Sequence, residues 1–108
     1  MGVVVVTGAA SGMGRACLER LRPLADVMVA VDLTEPDLPG TVGIACDVAD
    51  PDAVAALATR VTDLGEFRAL VHAAGISPTM GDPRRVVEID LVGTQYVLDA
   101  FTPLVVPG

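Results

Sequence analysis

The chain predicts an α/β fold, a parallel sheet with flanking helices. Three observations carry this. Val3 to Thr7 is an unbroken β-branched run with no polar alternation, as a strand covered on both faces requires. Short apolar runs recur at Val27 to Val31, Thr41 to Cys46 and Phe67 to Ala73. Segments with helical spacing of apolar residues stand after the first, third and fourth of these runs.

The first strand ends in Gly8, and Gly8-Ala9-Ala10-Ser11-Gly12-Met13-Gly14 leads into a helix with Cys17, Leu18, Leu21 and Leu24 inward. Pro23 marks the fraying end of that helix. Asp32 closes the second strand. Leu33 to Gly40 contains Pro36, Pro39 and Gly40 and is a loop, too short for a full crossover helix. After the third strand, Asp50-Pro51-Asp52 starts a helix: Asp50 caps, Pro51 fits the first helical position and Asp52 complements the dipole. Val54, Leu57, Ala58, Val61 and Leu64 follow at helical spacing until Gly65. The fourth strand ends in Ala74-Gly75. Asp82-Pro83 repeats the start signal for a helix running to Leu98 or Thr102, before Pro103.

Composition removes several functions. The chain has 108 residues, room for one domain, and 52% of them are apolar, enough to bury a core. The net charge of −7 argues against nucleic acid, whose phosphates need clustered cations. All seven basic residues are Arg, so chemistry that needs a lysine amine is absent from these residues. His72 is the single histidine, and no His or Cys cluster has metal-ligand spacing. Cys17 and Cys46 read as small buried hydrophobes rather than a disulfide framework. No run approaches the roughly 18 apolar residues of a membrane span. The glycine-broken N-terminus lacks a basic leader region. These features predict a cytoplasmic chain with no membrane partner.

A strand that ends in a glycine loop and opens a helix suits a phosphate. The first helical N–H groups are unpaired and carry partial positive charge, and glycines let a pyrophosphate approach the backbone. A glycine loop alone also serves a tight turn. Here Asp32 ends the next strand, eighteen residues after Gly14, where a carboxylate holds the ribose hydroxyls of NAD. The same carboxylate repels a 2′-phosphate. Neither Ser11 nor Leu33 offers the cation that NADP wants, so the cofactor expected is NAD.

Thr7-Gly8-Ala9-Ala10-Ser11-Gly12-Met13-Gly14 resembles the cofactor motif of the short-chain dehydrogenase/reductase family. Asp47-Val48 resembles its adenine-contacting Asp-hydrophobic pair. His72-Ala73-Ala74-Gly75 resembles its Asn-Asn-Ala-Gly element, and Ile89 to Thr94 its helix-four segment. The resemblance implies a Rossmann-like sheet in the order 3-2-1-4, truncated after the fourth strand and the helix that follows. It implies residues 1–108 as one partial NAD-binding domain. The expected cofactor contacts are Gly8, Ser11, Gly12, Met13, Gly14, Asp32, Leu33, Asp47, Val48, Ala73, Ala74 and Gly75.

The departures from the family pattern concern chemistry. The family's proton donor is a Tyr followed four residues later by a Lys, with a Ser upstream. Tyr96 is the only Tyr, Ala100 stands four residues on, and there is no Lys. Asp90 replaces the helix-four Asn, and no residue here is expected to be catalytic. The chain reads as the NAD(H)-binding portion of an oxidoreductase for an alcohol or ketone, inactive by itself. The alternative is a non-catalytic nucleotide-binding or assembly module. The last helix has Val87, Leu91 and Leu98 on one stripe and Val86, Ile89, Val97 and Phe101 on others, more than one buried face needs. That excess predicts a homo-oligomer through helix 83–102, the open edge of strand four and the tail Leu104 to Val106.

Overall fold

The structure, a computed structural model, describes residues 2–10, 12–74 and 83–105. The elements are β1 (Val3–Thr7), α1 (Gly12–Leu21), β2 (Val27–Asp32), β3 (Val42–Ala45), α2 (Pro51–Leu64) and β4 (Phe67–His72). A helical rod follows, made of α3 (Pro83–Val87), a π turn (Glu88–Gly93) and α4 (Thr94–Phe101). The strands pair in parallel in the order β3-β2-β1-β4.

The central strand explains the two layers. β1 is buried along its whole length, and its side chains alternate between faces. Val3 and Val5 join Val29 and Val31 against Val54, Leu57 and Val61 of α2 and Ile89, Val97 and Phe101 of the rod. Val4 and Val6 join Met28 and Ala30 against Leu18 of α1. Each such valine contributes about 1.5–3 kcal/mol on burial, so both layers need the unbroken apolar run. The link from β2 to β3 contains no helix. Its Leu38 packs on the α1 face, where a crossover helix would otherwise lie. Gly43 lets that link pass close, because a Cβ there would overlap the Pro36 carbonyl.

The helix ends follow their signals. The Asp50 carboxylate accepts from the Asp52 and Ala53 N–H groups at 3.0 and 3.4 Å, with Pro51 opening α2. Gly65 ends it at φ +147°. Asp82 lies outside the described residues, so the expected cap of α3 is not part of this description.

Two expectations about side chains need correction. Leu24 was expected inward but is exposed, because the chain leaves α1 at Leu21 for a short 3₁₀ turn around Pro23. Cys17 is half-buried rather than buried, since Leu18 is the residue facing the sheet. Of the expected oligomer tail, Leu104 packs partly on this chain's own core and Val105 is exposed, while Val106 lies outside the described residues.

The rod continues past the expected end through a 3₁₀ turn at Thr102–Leu104. Its π turn answers a sequence periodicity. The buried residues Ile89, Gly93, Val97 and Phe101 are spaced by four. In an α-helix four residues advance about 40° beyond a full turn, so such a stripe drifts off the sheet. A segment bonded i→i+5 winds more slowly and holds it in line. Val87, Leu91 and Leu98 stay exposed on the opposite stripe.

Candidate functional site

The site lies where the C-terminal ends of the parallel strands meet. From β1 the chain winds one way to β2 and β3, and α2 carries it back to β4 on the other side. This reversal leaves a crevice at the ends of β1 and β4.

The three loop glycines have different reasons. Gly8 has φ +68°, and a Cβ on it would stand 2.7 Å from the Ala73 carbonyl. The loop therefore touches the end of β4. A Cβ on Gly14 would overlap the Gly8 carbonyl, so the first turn of α1 sits directly on the loop. Gly12 has φ +59° but nothing within 4 Å of its missing Cβ. That glycine leaves space, which a ligand approaching the backbone requires.

The loop is built without a ligand. Ala9 N–H donates to the Val31 carbonyl at 3.0 Å. The Asp32 carboxylate accepts from Ala10 N–H at 3.0 Å through Oδ2 and from Leu33 N–H at 2.8 Å through Oδ1. Each carboxylate oxygen keeps further acceptor capacity, and Asp32 stands on the cleft wall.

The cleft has a volume of about 410 Å³, within the usual range for small-molecule sites. Of the expected residues, Gly8, Gly12, Met13, Gly14, Asp32, Leu33, Val48, Ala73 and Ala74 line it. Ser11 and Gly75 lie outside the described residues. Asp47 is not on the wall. Its Oδ1 accepts from Ala49 N–H at 3.0 Å, and its Oδ2 pairs with the Arg85 guanidinium at 2.9 Å. Burial pushes the Asp47 carboxyl up, but the bonds from Arg85 and Ala49 and the guanidinium charge outweigh it. The carboxyl is held below its ordinary value.

Thr7, Val31, Cys46 and Ile89 also line the cleft and were not expected. Thr7, Val31 and Cys46 stand at or just beyond strand ends, so the switch-point rule could have found them. Ile89 reaches the cleft through the π turn. Burial pushes the Cys46 thiol up to about 11, with the Asp47 and Asp50 carboxylates adding to it. Cys46 therefore stands in the wall as a neutral thiol at neutral pH.

His72 ends β4 behind the cleft. Its Nδ1 lies 2.7 Å from Thr7 Oγ1 and its Nε2 lies 3.0 Å from Thr94 Oγ1. Tyr96 is half-buried on α4 and packs against the core rather than lining the cleft. Among the described residues there is no group of three His, Cys, Asp or Glu that could hold a metal. Nor is any helix among them long and apolar enough to cross a membrane.

The sheet order, the glycine loop and the acid at the end of β2 define a Rossmann-type fold. The short chain dehydrogenase family model matches residues 2–107, and the chain belongs to that family. It is 40% identical to the short-chain reductase protein NovJ of Streptomyces niveus, over 85% of this chain and 42% of that protein. A metagenomic short-chain oxidoreductase in complex with NADP superposes with a TM-score of 0.80 at 29% identity, over 95% of this chain and 56% of that one. Uronate dehydrogenase from Agrobacterium tumefaciens, a Y136A mutant complexed with NAD, gives 0.69 at 29% identity, over 94% and 36%. The chain spans less than half the length of the curated relatives it matches.

Proposed function

We propose that this chain is the NAD(H)-binding portion of a short-chain oxidoreductase that interconverts an alcohol and a ketone. The observation that carries the reading is the open space at Gly12, facing a cleft whose rim holds the Asp32 carboxylate. The loop N–H groups and the start of α1 would hold the pyrophosphate. Asp32 would hold the ribose hydroxyls, and Leu33, Val48 and Ile89 would give the adenine an apolar slot. The bound nicotinamide supplies hydride transfer. One related structure holds NAD and another NADP, and the case for NAD rests on the Asp32 charge.

The 108 residues contain no Tyr-x-x-x-Lys pair to handle the proton. General acid–base help of this kind is worth roughly 10²–10⁴-fold, so the chain alone should not turn over alcohols. The exposed stripe Val87, Leu91 and Leu98 favours self-association through the rod and the open β4 edge, which also suits an assembly module. A cytoplasmic location fits these properties.

Calorimetric titration with NADH and NADPH tests the proposal. NADH should bind more tightly by about tenfold, roughly 1.4 kcal/mol. Asp32→Asn keeps one acceptor oxygen and removes the charge, so it should narrow that gap. Equal affinity for the two dinucleotides in the unmutated chain would remove the role given to Asp32.

A further inference from the structure

His72 sits in a hydrogen-bond relay, and one direction satisfies every contact in it. The Thr94 hydroxyl donates its one proton to the Asp90 carbonyl at 2.8 Å. At His72 Nε2 it must therefore accept, so Nε2 carries the ring proton. Nδ1 is then bare and accepts the Thr7 hydroxyl proton at 2.7 Å. Thr7 Oγ1 in turn accepts from Ala74 N–H at 3.2 Å. This clasp joins three parts of the cleft wall: the end of β1 at Thr7, the end of β4 at Ala73 and Ala74, and the rod that carries Ile89.

A proton on Nδ1 breaks the relay. The Thr7 hydroxyl would have to turn away from the ring, and Thr7 is fully buried. Its hydroxyl contacts His72 Nδ1 and the Ala74 N–H, and of these only Nδ1 can accept a proton. A buried hydroxyl proton without a partner costs about 1–3 kcal/mol.

The elements packed around the ring carry the following ionisable groups. β1 contributes none. The rod brings Asp90, whose carbonyl ends the relay, Glu88, which pairs with Arg84 and Arg85, Tyr96, half-buried, and Asp99, exposed and bonded to Gln95. α1 carries Arg15, Glu19 and Arg20, all exposed, and Cys17, half-buried. Arg68 of β4 itself pairs with Glu66. Burial is the cause that acts on the imidazole, and it holds the ring below its ordinary value.

We propose that dinucleotide binding in the cleft is linked to the proton on His72, the neutral ring holding the wall in its binding shape and the protonated ring releasing it. This rests on the nucleotide reading of the cleft given above. His72 acts here as a positioning residue, since it reaches the cleft only through Thr7, Ala74 and the rod. Linkage is reciprocal, so bound dinucleotide must lower the His72 titration midpoint further.

His72 is the only histidine, so its ring signals are assigned without ambiguity. Ring ¹⁵N shifts at neutral pH should show the Nε2–H tautomer. The titration midpoint, read by NMR, should lie below 6.5 in the free protein and fall again when NADH saturates it. Below the free midpoint, NADH affinity by calorimetry should drop by up to about tenfold per pH unit. His72→Asn, which accepts from Thr7 but does not titrate, should hold its affinity level across the same window. An Nδ1–H tautomer, a midpoint unmoved by NADH, or level affinity in the unmutated chain would each overturn the linkage. If NADH binds but with level affinity, the linkage alone fails. If NADH binds at no pH, the nucleotide reading fails and takes the linkage with it. Should the variant not fold, the NMR midpoints of the unmutated protein decide.

Discussion

The glycine loop and the helical rod wall the same cleft but are specified in opposite ways. From β1 to Asp32 the shape follows from local backbone rules. Gly8 and Gly12 take positive φ, Gly14 admits the helix, and the Asp32 carboxylate binds the loop's own N–H group. The rod has no such internal instruction. Its π turn exists because four residues spaced by four must all face the sheet, and because Gly93 lets the rod approach Val48. One wall is set by backbone chemistry at single positions, and the other by packing spread over several.

Substitution should expose this contrast. Gly14→Ala places a Cβ into the Gly8 carbonyl, where only backbone could move. The expected loss is about 4 kcal/mol or more, read as the denaturant midpoint, with nucleotide binding abolished. Phe101→Ala removes the ring that packs on Phe67, their centroids 5.2 Å apart. Its cost should be about 3 kcal/mol, at the low end for such truncations, because the site adjoins an open groove and can relax. NADH affinity should fall little in the folded fraction, since Phe101 does not line the cleft. If Gly14→Ala proves the milder of the two, the loop is more compliant than its contacts indicate.

Cys46 tests the wall between these regions. Its thiol is raised from 9.0 to about 11 by burial first, with the Asp47 and Asp50 carboxylates adding. A raised folded value means that the unfolded chain loses its proton first. The contribution is therefore fully present below pH 9 and is lost as pH rises through about 11. Its size is of the order of 2 kcal/mol. Denaturation at pH 8 and pH 10.5 should show this slope in the unmutated chain and a shallower one in Cys46→Ala. An unchanged slope would place the alkaline loss elsewhere.

The contrast also explains how far the sequence could be read. The strand order follows from the family resemblance that the motifs carry, and the loop and Asp32 from residue types whose preferences act locally or at fixed spacing. The Asp50 cap and the Gly65 stop were legible for the same reason. Leu24 escapes the helical period because the chain leaves that period at Leu21 for a turn containing Pro23. Ile89 was missed as a cleft residue because only the π turn brings it there. The Asp47–Arg85 pair joins residues 38 apart in sequence, which no short pattern encodes. The His72 relay joins positions 7, 72 and 94, and it too exists only in the folded chain.

The smallest expected effect on folding concerns the far side of the rod. Leu91 is 68% exposed and faces away from both core layers. Leu91→Ser removes little buried surface, so its effect on the unfolding midpoint of the isolated chain should stay within about 0.5 kcal/mol. Its effect on assembly should be larger. Val87 and Leu98 share the stripe and are each 49% exposed, and a surface helix ordinarily shows a polar face there. If the stripe is covered by a second copy, Leu91→Ser should weaken self-association measured by light scattering over a dilution series. The unfolding midpoint of the unmutated chain should then rise with concentration, and that of the variant should not. A midpoint independent of concentration in both would make the stripe bare surface. The rod would then differ from the loop in its inner face alone.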